Sequence, residues 1–62
     1  MSMQTELNTI TSTMTELSAR ITLLVESEGS AMPPEVFAEL VEAERTMGAL
    51  LRRLTRVSGR SF

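Results

Sequence analysis

Two runs of apolar residues share one spacing, and that spacing limits the fold more than anything else in the chain. Met3, Leu7, Ile10, Met14, Leu17, Ile21 and Leu24 recur at intervals of four and three. Val36, Leu40, Ala43, Met47, Leu50, Leu54 and Val57 repeat the pattern. Intervals of four and three place side chains on one face of an α-helix, as the a and d positions of a heptad. A half-buried strand needs strict alternation, and neither run alternates. Each run predicts a helix of roughly 24 to 26 residues, about 36 to 39 Å long at 1.5 Å per residue.

Between the runs lies "ESEGSAMPPEV", residues 26–36. Gly29 is expected just past the end of the first helix, where glycine takes positive φ at little cost. Pro33 and Pro34 cannot lie inside a helix, but one of them suits its first position. Met32, before a proline, is pushed toward extended backbone. The sequence therefore predicts one domain over residues 1–62. Helix one covers about 3–28, a turn 29–33, helix two about 34–57 and a tail 58–62. Two helices of matched length on a short loop fold back as an antiparallel hairpin. The expected class is all-α. Leu7, Ile10, Met14, Leu17, Ile21 and Leu24 form one side of the hairpin seam, and Leu40, Met47, Leu50 and Leu54 the other. Met14 and Met47 read as core filler, with thioethers that also suit an adaptable docking surface.

The 62 residues contain no cysteine, histidine, lysine, aspartate, tyrosine or tryptophan. No disulfide can therefore staple the fold, and a core this small is marginal without a staple or a partner. Catalysis near neutral pH usually recruits a histidine, a lysine or a tuned carboxylate. Only glutamate is present, and Glu35, Glu39 and Glu42 read as residues favouring a helix N-terminus. No catalytic residue, cofactor, metal site or small-molecule substrate is expected. No apolar run approaches the roughly 20 residues that span a bilayer. The N-terminus lacks the basic and apolar regions of a secretion signal. These features predict a cytoplasmic protein.

The helices differ outside their seams. Helix one is rich in Thr and Ser, mediocre helix formers. Helix two carries a second apolar stripe, Phe37, Val41 and Leu51, interrupted by Glu44 and Gly48. Two helices cannot bury a seam plus a stripe, so these five residues are the expected partner-binding face. Gly48 lies mid-helix, where it costs about 1 kcal/mol relative to alanine, and would suit a close helix crossing.

The hairpin is thus expected to complete a bundle by homodimerisation or by docking on a helical partner. The leading reading is a non-enzymatic adaptor or co-chaperone that stabilises a larger helical protein. The alternative is a homodimeric four-helix bundle, structural or binding RNA or DNA through its C-terminal arginines. Arg52, Arg53, Arg56 and Arg60 are candidate anion contacts. They also complement the C-terminal end of the helix dipole, and in a hairpin they lie near Glu6. The net charge of −2 gives no general affinity for anions.

The segment "PEVFAELVEAERTMGALLRRL", residues 34–54, resembles the small co-chaperone subunit of bacterial type III secretion systems. The likeness rests on Pro34, Glu35, Phe37, Leu40, Arg45, Met47, Leu51 and Leu54, together with chain length and the Gly-to-Pro turn. It implies a two-helix hairpin that pairs with a larger tetratricopeptide-like protein. The pair then holds a needle subunit so that it cannot polymerise early. The resemblance places the contact on the exposed stripe of helix two.

Overall fold

A computed structural model describes residues 2–60. It consists of two helices, α1 (Met3–Glu28) and α2 (Pro34–Ser58), packed side by side as a hairpin. The described residues contain no strand. Residues 61 and 62 of the expected tail lie outside them, and α2 continues through Ser58.

Helix α1 starts at Ser2, whose Oγ accepts the Thr5 amide at 3.1 Å and so satisfies a donor that the helix cannot. The threonines that weaken this helix in isolation find partners within it. Thr9, Thr11 and Thr15 donate their hydroxyls to the carbonyls four residues back, at 3.0, 2.8 and 2.8 Å. Such back-bonding satisfies these three hydroxyls within the helix, at a slight cost to its straightness.

The turn differs from expectation at Gly29. Its φ of −55° and ψ of −40° are right-handed helical, so no left-handed residue closes α1. The Glu28 carbonyl instead accepts both the Ala31 amide (3.0 Å) and the Met32 amide (3.1 Å). Glycine is required here for space. A Cβ at this position would stand 2.9 Å from Phe37 Cε2 and would collide with the Val25 carbonyl oxygen. Pro33 is extended (φ −57°, ψ 143°), as the residue before a proline must be. Its carbonyl accepts the Val36 and Phe37 amides, each at 3.0 Å, and Pro34 occupies the first helical position.

The seam is rotated from its expected position. The half-buried row of α1 is Leu7, Thr11, Met14, Ser18, Ile21 and Val25. That of α2 is Leu40, Glu44, Met47, Leu51, Leu54 and Ser58. Both rows keep the four–three rhythm but have moved by one residue at alternate positions. At 100° per residue this turns each helix by about 50° about its axis. Ile10, Leu17, Leu24 and Leu50, expected in the seam, are exposed instead.

Hydrogen bonds hold the rotated register. Thr11 Oγ1 and Ser58 Oγ lie 3.3 Å apart, Thr22 Oγ1 donates to Glu44 Oε2 at 2.6 Å, and Gln4 Nε2 donates to the Ser58 carbonyl. Small hydroxyl side chains at the contact let the two backbones approach, and those of Thr11 and Ser58 are satisfied locally or across the seam. Among the described residues no side chain is fully buried. The hairpin has a seam but no enclosed core.

Candidate interaction surface

The rotation sorts the molecule into two unlike faces. In an antiparallel pair, residues displaced in the same sense from the inner row fall on the same side of both helices. Ile10, Leu17 and Leu24 of α1 therefore share a face with Val36, Ala43, Leu50 and Val57 of α2. Ile10, Leu17, Leu24, Val36, Leu50 and Val57 are each between 37% and 45% exposed, and Met3 extends the row at 64%. A groove on this face is lined by Leu17, Ile21, Leu24 and Met47, with Arg20 at its edge. The opposite face is hydrophilic near the open end, where Asn8, Thr11, Thr15, Thr55 and Ser58 line the corresponding groove.

The stripe expected on helix two is divided by this arrangement. Glu44, Gly48 and Leu51 are half-buried. Glu44 and Leu51 belong to the inner row, with Glu44 held by Thr22. They are not the open docking strip that the sequence suggested, because α1 occupies that direction. Phe37 is exposed, but its ring rests over Gly29 beside Val25, Met32 and Pro34, where it covers the turn. Val41 is exposed one turn from Phe37, off the apolar face. Gly48 marks no close crossing within the hairpin. The nearest atom to an added Cβ there is Arg52 Nη1, at 3.8 Å.

The arginines at the end of α2 line two adjoining depressions. Arg53, Arg56 and Arg60 surround Val57 at one rim of the apolar face. Arg52 lines an adjoining depression with Leu51, Thr55 and the shared Arg56. The expected pairing with Glu6 does not occur. Among the described residues the one ion pair is Arg45–Glu42, at 3.5 Å and well exposed, a geometry worth a few tenths of a kcal/mol. No cluster of carboxylates among the described residues could hold a metal ion. No described helix is long and apolar enough to cross a membrane.

Leu23, 63% exposed on the outer side of α1, belongs to neither expected set. Val25, in the inner row beneath Phe37, was also outside the expected seam. Their continuity with Leu24 was the available signal, but an apolar triplet does not reveal which member turns inward.

Comparison with protein-family models, curated proteins and solved structures returned no match. The surface must therefore be interpreted from its own chemistry.

Proposed function

We propose that this chain is a non-enzymatic protein-interaction module whose apolar face is covered by helices of another polypeptide chain. What supports the reading is the row Ile10, Leu17, Leu24, Val36, Leu50 and Val57. It lies open on one side of a hairpin whose described residues enclose no core of their own. Water contact along a continuous apolar strip is unfavourable at about 25 cal/mol per Å², so covering the strip drives association.

In the adaptor form of this proposal, the covering helices belong to a larger helical protein. The resemblance of residues 34–54 to the small type III secretion co-chaperone supplies a candidate of that kind, a tetratricopeptide-like subunit. The contact residues differ from those the resemblance implied. They lie on both helices, with Leu17 and Leu50 at the centre. The nucleic-acid alternative draws less support. The net charge is −2, and the one aromatic ring among the described residues, Phe37, covers the turn at the far end from the arginines.

The proposal is tested with Leu17→Glu and Val41→Asp, one on the face and one off it. Leu17→Glu is expected to abolish association with the covering chain while Val41→Asp preserves it. A dye that reports exposed apolar surface should bind the isolated chain in dilute solution. A fully helical chain that binds no dye and associates with nothing at any concentration would refute the proposal.

A further inference from the structure

We infer that the apolar face is covered by a second copy of this chain, laid on it antiparallel, so that each turn end rests on the other copy's open end. This deepens the reading above and depends on it. Two independent observations identify the occupant.

The first is area. A folded protein of this mass exposes about 4,000 Å². The hairpin exposes 4766 Å², an excess of about 800 Å², which is the area one partner contributes to a standard interface. The molecule is also a single layer, with Cα extents of 45 × 16 × 13 Å. A second hairpin of equal length laid on the apolar face makes a two-layer, four-helix bundle. Each helix then contacts one neighbour through its Leu7 or Leu40 row and another through its Leu17 or Leu50 row.

The second is charge. The turn half, residues 18–50, holds six glutamates against two arginines, net −4. The open half holds four arginines against two glutamates, net +2. A second copy related by a two-fold axis across the helices puts each acidic half against a basic one. A parallel copy would stack like on like, which is unfavourable. The register fixes where the axis passes. Leu17 and Leu50 lie midway between the Thr11–Ser58 and Thr22–Glu44 rungs, so the apolar centre of the face meets its own copy. Leu24, one heptad toward the turn, then faces Ile10 of the second copy.

The test uses the full chain, whose lack of cysteine makes site-specific cross-linking clean. Sedimentation equilibrium is expected to give twice the 6.8 kDa chain mass at micromolar concentration, with Leu17→Glu returning it to the monomer. Oxidation of mixed Leu24→Cys and Ile10→Cys chains should give the mixed disulfide, and Leu24→Cys alone should give little. Efficient self-cross-linking of Leu24→Cys would mean parallel copies and overturn the inference. So would a monomer throughout the concentration range. A monomer that is poorly helical and binds the apolar dye would still need another chain, and the broader proposal would stand. A fully helical monomer that binds no dye would overturn both.

Discussion

Gly29 and Gly48 make opposite predictions for the same substitution, and Gly29→Ala is the sharper of the two. Its backbone is right-handed helical, so alanine meets no φ penalty there. On backbone entropy alone the change should stabilise by about 0.4 to 1 kcal/mol. The neighbours reverse that sign. An added Cβ stands 2.9 Å from Phe37 Cε2 and 3.3 Å from Cδ2, where carbon–carbon contact is comfortable at about 3.5 to 4.0 Å. The ring must retreat by roughly half an ångström or more, and overpacking of that order costs about 1 to 3 kcal/mol. Phe37 is 39% exposed and can swing away, but it then uncovers Val25 and the turn. The Val25 carbonyl lies within α1 and cannot yield as a side chain can.

The expected net effect is a destabilisation of about 1 kcal/mol, lowering the thermal midpoint by about 4 to 8 °C for a chain of this size. Unfolding followed by circular dichroism at fixed protein concentration measures it, because association shifts the midpoint. In a Phe37→Ala background the alanine should do less harm, with a coupling of about 0.5 kcal/mol or more. If Gly29→Ala is as stable as the natural chain, or more so, close approach of the ring is not why glycine stands there.

Gly48→Ala should do the reverse and raise stability by about 1 kcal/mol, since only the end of Arg52 lies near the added methyl; the same melts check it. Thr22→Val removes the hydroxyl that donates to Glu44 across the seam and should destabilise by about 1 to 2 kcal/mol, read from urea unfolding midpoints. Ser2→Ala removes the cap of α1 and should lower stability by about 1 kcal/mol, with hydrogen exchange of the Thr5 amide rising first. Leu17→Glu should abolish association, as seen by sedimentation, while Val41→Asp does not.

Much of the fold is legible in the sequence. The four–three spacing dictates helices, because only a helix collects residues at those intervals on one side. The Gly–Pro stretch dictates the break, because proline's ring fixes φ and removes a donor. Matched lengths on a short turn then leave little besides a hairpin. The candidate surface was legible only in part. The sequence showed that apolar area exceeds what two helices can cover, but it placed the excess on Phe37, Val41, Glu44, Gly48 and Leu51.

The tertiary structure decided the rotation of each helix about its own axis. A row through Leu7 and Ile10 and a row through Leu7 and Thr11 have the same average period, so periodicity cannot choose between them. The choice rests on contacts between residues far apart in the chain. Thr11 against Ser58 and Thr22 against Glu44 settle small polar groups inside the seam and turn Ile10, Leu17, Leu24 and Leu50 outward. Helix identity comes from neighbours along the backbone. Which side of a helix remains wet depends on what packs beside it, and that is where the interaction surface arises.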